Sequence, residues 1–336
     1  MNVLVTGGAG FLGSYVINAL IDAGHTPFSY DIAAPGPEVA AITTNPQAQY
    51  RIGQISDQAR LFDVCVSDKI EVIVHTAGIV GLDVSLTQPA ATYQTNIMGL
   101  VNVCEVARQL KMRRLVFASS NAAYHGGSGR SLRETDSVFS IRDGNPAGHY
   151  GVSKLAAEAI GITYATLQGL DFVALRVTAI YGFGMRSPMF IKPMVENAVR
   201  GIPSHFATGG PMKRDYTYVL DCAEAIARVV DAPPAAFATQ RVLNIAAGDA
   251  RSAAEVASVV RRLFPGVTIE IGNTLTMLEE QNAKMRASLD IGAAKLILDW
   301  VPRWSLENGI KGYASRFKAH LVTSRLLNGD TPMLSG

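Results

Sequence analysis

The chain has 336 residues, of which 48% are hydrophobic and 17% charged, the balance of a folded protein with a large core and not of a disordered one. Thirty Lys and Arg against 28 Asp and Glu leave a formal charge of +2, with no basic stripe or tail, so no nucleic-acid partner is expected. No run approaches the ~18 consecutive apolar residues of a membrane span, and no basic n-region precedes the first apolar run, so a cytoplasmic protein with no membrane partner is expected.

Short apolar runs at residues 2–6, 26–31, 71–75, 114–118 and 172–176 read as strands. The stretches between them carry apolar residues three or four apart, as helices packed on one face do. In the first of these, Leu12, Val16, Ala19 and Ala23 share a face, and Gly24 supplies the stop. Strands alternating with helices imply right-handed crossovers and a parallel sheet covered on both sides. The expected fold class is therefore α/β, a Rossmann-type doubly wound parallel sheet.

After Arg176 the alternation breaks. Pro188, Pro193, Pro203 and Pro211, with the Gly209-Gly210 pair, surround a helix near 191–200. A strand-helix unit returns at 216–230, followed by a strand near 242–245 and helices near 253–263, 291–298 and 306–317. Residues 1–176 with about 215–247 are expected to form the cofactor-binding domain. Residues about 177–214 and 248–323 are expected to form a smaller mixed α/β C-terminal substrate lobe, with 324–336 as a tail.

Thr6-Gly7-Gly8-Ala9-Gly10-Phe11-Leu12-Gly13 follows the first strand and opens the first helix. Gly7, Gly10 and Gly13 allow a tight turn and close backbone approach to a pyrophosphate. Phe11 and Leu12 stand at the helix N-terminus, whose free N–H groups favour phosphate. Asp31 ends the second strand, where a carboxylate accepts the adenosine ribose hydroxyls and repels a 2′-phosphate. No arginine follows at 32–35, so NAD is expected over NADP. Asp57 either approaches the adenine or caps the next helix.

Tyr150-Gly151-Val152-Ser153-Lys154 begins an alanine-rich helical stretch. Positions i and i+4 share a helix face, so Tyr150 and Lys154 point the same way. A free tyrosine, with a pKa near ~10, is a poor base at neutral pH; an adjacent ammonium lowers that value. The run 115–120 is an apolar strand ending in Ser119 and Ser120, and active groups in open α/β sheets lie outside the carboxyl ends of strands. Ser120 is placed to hydrogen-bond a substrate oxygen, with Ser119 as a turn hydroxyl. The three cysteines, Cys65, Cys104 and Cys222, are read as buried free thiols, and no metal site is expected.

With these motifs the chain resembles the extended short-chain dehydrogenases/reductases, the NAD-dependent epimerase/dehydratase group. The resemblance also rests on His75-Thr76-Ala77-Gly78, Asn96-Ile97-Met98-Gly99-Leu100, Phe117 to Tyr124, Leu175-Arg176 with Tyr181-Gly182, Arg214-Asp215-Tyr216, and Asp290 with Leu298-Asp299-Trp300. It implies that Tyr150 is the acid/base and that Lys154 binds the nicotinamide ribose and lowers the Tyr150 pKa. It further implies that Ser120 polarises the reacting hydroxyl and that Ala77 and Gly78 line the cofactor. Asn96 is implied at the cofactor as structural or relay support. Asn121, Tyr181, His149 and Arg214 are the expected substrate contacts, Arg214 at the place that meets a sugar-nucleotide diphosphate. The helices 92–110 and 150–167 are implied to form a homodimer interface.

The chain also departs from that pattern. The dehydratases' Thr-Asp-Glu series is replaced by Ser120-Asn121-Ala122, which excludes dehydration. Nucleotide-sugar members place an Asn where Ala179 stands, and an Arg-x-Gly-acidic run where residues 277–284 read Met-Leu-Glu-Glu-Gln-Asn-Ala-Lys. Arg130, Arg133, Arg142 and His149, in or beside a long loop, either meet an anionic group or remain solvated loop charges. The expected function is net NAD-dependent oxidation of a secondary alcohol in a sugar, sugar acid or related polyol. The alternative is a nucleotide-sugar epimerase that oxidises and re-reduces its substrate on tightly held NAD. A non-catalytic dinucleotide sensor would not need the intact Ser120, Tyr150 and Lys154.

Overall fold

A strand covered on both faces must be apolar on both, and Val3, Leu4 and Val5 of β1 (Asn2–Thr6) are wholly buried. The structure, a computed structural model, describes residues 1–327 apart from 44, 46–47, 127–129, 146 and 285–286. From β1 the chain runs through α1 (Phe11–Asp22), β2 (Thr26–Asp31), α2 (Pro37–Ile42), β3 (Gln49–Ile52), α3 (Gln58–Ser67) and β4 (Val72–His75). Next come α4 (Leu82–Thr87), α5 (Pro89–Tyr93), a π turn (Gln94–Met98), α6 (Gly99–Gln109), β5 (Arg114–Ser120), α7 (Gly148–Gln168) and β6 (Phe172–Val177). α8 (Ile191–Arg200), β7 (Ser204–Phe206), β8 (Lys213–Asp215), α9 (Val219–Asp231) and β9 (Val242–Ile245) follow. The last elements are β10 (Ala250–Ser252), α10 (Ala253–Leu263), β11 (Ile269–Ile271), α11 (Met277–Lys284), α12 (Gly292–Leu298) and α13 (Leu306–Leu327).

Seven parallel strands form the central sheet in the order β3-β2-β1-β4-β5-β6-β9, the expected Rossmann-type arrangement. The order reverses at β1, with β2 on one side and β4 on the other. A crevice therefore opens at their carboxyl ends, where the register sets Thr6 beside His75. One face of the sheet packs under α3, α6 and α7, through residues such as Leu61, Val103 and Ala157. The other packs under α1, α8 and α9, and its cluster runs on without a break into Val256, Trp300 and Phe317. The smaller C-terminal lobe adds two short sheets, β10 with β8 antiparallel and β11 with β7 parallel. No helix among the described residues is long and apolar enough to cross a membrane.

Four expectations are corrected. β3 was not anticipated, because Gln-Tyr-Arg-Ile is a half-polar edge strand with no fully buried residue. The strand expected at 216 lies just upstream as β8, paired to β10, and residues 216–218 lead into α9. The single helix expected over 92–110 is divided by the π turn around Asn96. α13 continues to Leu327, so the start of the expected tail at 324 is helical; residues 328–336 lie outside the described residues.

α7 carries the Tyr150 and Lys154 pair, and its distance from the sheet is set by Gly161. A Cβ there would stand 2.2 Å from Cζ of the wholly buried Phe172 on β6. An aromatic ring in a packed core cannot yield that space. Gly161→Ala is expected to lower stability by about 1–3 kcal/mol, read as a lower urea midpoint with an unchanged slope.

Candidate active site

Backbone approach shapes the floor of the crevice. Gly7 adopts a left-handed φ of +72°, and a Cβ on it would lie 2.7 Å from the Ala77 nitrogen in the loop after β4. Gly13 permits α1 to sit against the turn, since its Cβ would lie 2.2 Å from the Gly7 carbonyl oxygen. α1 begins after Gly10 without a side-chain cap, so the N–H groups at Phe11, Leu12 and Gly13 are left for an anion. Asp31, at the end of β2, accepts hydrogen bonds from the Ala9 N–H at 3.0 Å and the Ile32 N–H at 2.7 Å. A carboxylate has about four lone-pair sites, so it retains acceptor capacity for a ribose diol while holding the glycine loop. This cradle, closed by any Cβ and open at a helix N-terminus, fits a dinucleotide pyrophosphate. Asp57 takes the other reading left open by the sequence: its Oδ1 caps α3 by accepting the Arg60 N–H at 2.9 Å.

The next wall comes from β4 and the π turn. His75 is buried, its Nδ1 2.7 Å from the Thr6 hydroxyl, and burial first and Lys154 second lower its pKa to about 3. It is neutral at physiological pH. Asn96 receives the Ile79 N–H on its Oδ1 at 2.8 Å and donates through Nδ2 to the Ile79 carbonyl and the Ser153 hydroxyl, each at 2.9 Å. Its amide is thereby consumed, and it acts as a brace between the loop after β4 and α7. A Cβ at Gly78 would lie 2.9 Å from Asn96 Oδ1 and 3.9 Å from Lys154 Nζ, which places Gly78 at the point where these elements meet.

β5 and α7 complete the centre. Lys154, 4% exposed, donates to the Ala118 carbonyl at 2.8 Å and lies 4.7 Å from the centroid of the Phe117 ring. Burial is the main cause that lowers its pKa to about 8, while Glu158, one turn further along α7, opposes the shift. Tyr150 is half-buried one turn before Lys154, and its carbonyl accepts the Ser153 hydroxyl at 2.8 Å. Ser120 Oγ accepts the Ala122 N–H at 3.1 Å and donates to Asn121 Oδ1 at 3.4 Å. The first contact caps the short turn Asn121–Ala123.

Asn145, which sequence reasoning missed, draws that turn against α7. Asn145 Nδ2 donates to the Ala122 and Ala123 carbonyls at 3.0 and 3.2 Å, and its Oδ1 accepts the Ala147 N–H at 2.8 Å. Gly151 has no room for a Cβ, which would lie 2.2 Å from Asn145 Oδ1. Ser119, read as a turn hydroxyl, is instead buried and donates to Glu158. No motif spacing flagged Asn145, and Glu158 was visible only as the next i+4 position after Lys154.

The expected substrate contacts divide. Arg214 is on β8, largely enclosed, with a buried Nε that has no hydrogen-bond partner; burial lowers its pKa. Such a group fits an anionic ligand. His149, on the first turn of α7, has its Nδ1 2.8 Å from the Tyr93 hydroxyl, and the two rings meet edge to face. Tyr181 is not in the crevice: it is wholly buried, its hydroxyl donates to the Leu306 carbonyl at 3.4 Å, and its ring packs on Tyr216 and Tyr218. Arg130, Arg133 and Arg142 pair at the surface with Asp136, Asp290 and Asp143, the solvated-charge reading. Cys65 and Cys104 are buried thiols whose pKa values burial pushes up to about 12, and Cys222 is raised further.

The model of the NAD-dependent epimerase/dehydratase family matches residues 3–246. The chain belongs to that family, and it is an enzyme whose cofactor is NAD. It is 29% identical over 320 residues to a putative UDP-glucose 4-epimerase of Methanocaldococcus jannaschii, covering 92% of this chain and 96% of that one. It also resembles the crystal structure of UDP-glucose 4-epimerase from Thermotoga maritima with UDP-glucose, at a TM-score of 0.81 and 25% identity, over 96% of this chain and all (100%) of that one. The Thermus thermophilus UDP-glucose 4-epimerase in complex with NAD matches at a TM-score of 0.77 and 25% identity, over 95% and 99% of the two chains.

The geometry at Asp31 yields a measurable preference. The enzyme is expected to bind NAD in preference to NADP, and Asp31→Asn is expected to weaken NAD binding by about ten- to a hundredfold, as loss of hydrogen bonds to a charged group does. Calorimetric titration with both dinucleotides checks this; equal affinities in the wild type would contradict it.

Proposed function

We propose that this enzyme epimerises a secondary-alcohol carbon of a nucleotide sugar, with a UDP-sugar as the substrate class. The observation that carries this reading is the meeting of the strand ending in Ser120 with the helix carrying Tyr150 and Lys154, in a chain that matches UDP-glucose 4-epimerases from end to end. It takes precedence over the net dehydrogenase expected from the sequence. In this reading residues 1–176 with about 215–247 hold the cofactor, and 177–214 with 248–323 close over the substrate.

NAD supplies reversible hydride acceptance at the reacting carbon. The glycine loop and the uncapped start of α1 would hold its pyrophosphate, Asp31 would hold the adenosine ribose, and Ala77 and Gly78 would border the nicotinamide side. Tyr150, as phenolate, takes the hydroxyl proton while the hydride leaves the same carbon, giving a ketone. After the sugar turns over, the hydride would return to the opposite face of the same carbon and Tyr150 would return the proton to its oxygen, so no reducing equivalent is released. Lys154 keeps a positive charge beside the phenolate and binds the nicotinamide ribose. The Ser120 hydroxyl swings from its capping contact to the substrate oxygen, with Asn121 beside it. Arg214 offers its unpaired Nε to the diphosphate, and His149 lines the entrance. The turn after β5 offers no carboxylate at 121 or 122 for elimination of water.

A second reading, net oxidation of a free sugar or sugar acid, rests on Ala179. This residue has a left-handed φ of 36°, a conformation that costs an alanine roughly 1–2 kcal/mol and suits Gly or Asn better. An alanine in this backbone form offers no side-chain amide to hold a nucleotide. We further propose a homodimer through α6 and α7. Supporting it are a shallow apolar groove on α7 lined by Ala159, Ile160, Thr163 and Tyr164, and the exposed Leu167.

Incubation with UDP-glucose, UDP-galactose or UDP-glucuronate is expected to give the epimer without a rise in NADH absorbance. Accumulation of NADH from a free sugar, with no calorimetric binding of UDP, would overturn the epimerase reading in favour of the second. Tyr150→Phe is expected to cut turnover by about 10²–10⁴-fold with NAD affinity preserved. A variant that keeps half of the wild-type kcat would remove Tyr150 from its role.

A further inference from the structure

The row Tyr150, Lys154, Glu158 recurs every four residues along one face of α7, and the third member has no part in the chemistry described above. Glu158 is 2% exposed and Arg176, on the neighbouring strand β6, 4%. Arg176 binds the carboxylate as a fork, Nη2 to Oε2 at 2.7 Å and Nε to Oε1 and Oε2 at 3.0 and 3.2 Å. Ser119, the residue before Ser120, donates its hydroxyl to the same carboxylate. Arg176 is in turn fixed by the Tyr124 ring, 4.4 Å from its carbon Cζ, and by the Glu134 carbonyl at 3.2 Å. A buried ion pair is weak support for a fold, since apolar residues of similar volume often do as well or better. Its position one turn from the ammonium gives it another use.

We propose that Glu158 is a positioning residue for the reaction: held by Arg176 and Ser119, it keeps Lys154 cationic and in place beneath Tyr150. This rests on the epimerase reading for its consequence in turnover, but not for its electrostatics. Around Lys154 are Glu158, one turn on along α7, and Tyr150, one turn before it, with His75 on β4, Asn96 in the π turn, and the Phe117 ring and Ala118 carbonyl on β5. His75 is neutral and Asn96 carries no charge. Glu158 is therefore the carboxylate that offsets desolvation of the ammonium, in agreement with the direction of its effect on Lys154. Replacing it by an amide removes that attraction and leaves the Arg176 charge uncompensated. Both changes push the Lys154 titration to lower pH.

Protein labelled with carbon-13 at the lysine ε position tests this without substrate. The chain has nine lysines, and Lys154→Arg identifies the Lys154 signal by its loss. The wild-type midpoint is expected near 8, and that of Glu158→Gln about one unit lower. In the NAD-loaded enzyme with a UDP-sugar, activity falls as pH rises through the midpoint that Lys154 has in that complex. This alkaline limb of kcat is expected to move down with the midpoint while KM stays nearly constant. Should Glu158→Gln not fold, Glu158→Gln with Arg176→Met leaves no unpaired buried charge and is expected to shift the midpoint in the same direction by less. A Lys154 midpoint that does not fall in the folded variant overturns the proposal, and so does a midpoint that falls while the kcat profile stays in place. Failure of the epimerase reading is seen separately, as a wild type inert toward every UDP-sugar.

Discussion

Lys154 takes an ammonium into a site where it is 4% exposed, and several neighbouring features follow from the cost of doing so. Removal of a charge from water is expensive unless hydrogen bonds and counter-charge replace the lost hydration. The Ala118 carbonyl, the face of Phe117 and the carboxylate of Glu158 supply part of the replacement. An ammonium has three donors, and the Ala118 carbonyl takes one of them. The pKa near 8 expresses this balance: the group is cationic at neutral pH, yet its charge is incompletely compensated until a phenolate or ligand oxygen arrives. His75 shares the pocket and is kept neutral by the same burial and the same neighbouring charge.

Geometry around the ammonium depends on close contacts that only small residues permit. Gly151 brings α7 onto the turn after Ser120, Gly161 brings it onto Phe172, and Gly78 leaves space for Asn96 and Lys154. The π turn belongs to the same arrangement. Asn96 spends its amide on Ile79 and Ser153, so the loop after β4 and the start of α7 are held to a common point. Pre-organisation of this kind fixes the polar groups of the crevice before any ligand arrives.

The Rossmann half of the molecule was legible because its signals are local. Apolar runs of strand length, the helix period after Leu12, and the glycines at strand-to-helix positions each carry their own physical reason. The pair Tyr150 and Lys154 was legible for the same reason, being one turn apart. β3 was not, since an edge strand with polar residues has no period to read. Tyr181 misled because a tyrosine beside a motif looks the same whether its hydroxyl meets a ligand or, as here, the Leu306 carbonyl 125 residues away. Asn145, Ser119 and Arg176 act through partners distant in sequence, and their roles arise only when β5, β6 and α7 are side by side.

The C-terminal lobe is harder to read for a related reason: among the described residues, most of its buried apolar side chains belong to the core beneath the sheet. Its helices join the cluster beneath the sheet, and polar clamps fix it to strands and helices of the first half. Asp221 on α9 accepts the N–H groups of Arg303 and Trp304 at 2.8 and 3.1 Å. Asn244 on β9 donates through Nδ2 to the Leu132 and Asp290 carbonyls, each at 3.0 Å. Asp215, next to Arg214, accepts the Leu289 N–H at 2.9 Å. Burial raises the pKa of both aspartates to about 6, so at neutral pH each carries a charge whose desolvation is offset chiefly by these backbone N–H groups. Arg214 is thus seated on a strand whose neighbouring carboxylate is committed to the lobe, and among the described residues its Nε has no hydrogen-bond partner. An enclosed guanidinium with no partner at Nε carries a desolvation cost that a bound anion would relieve.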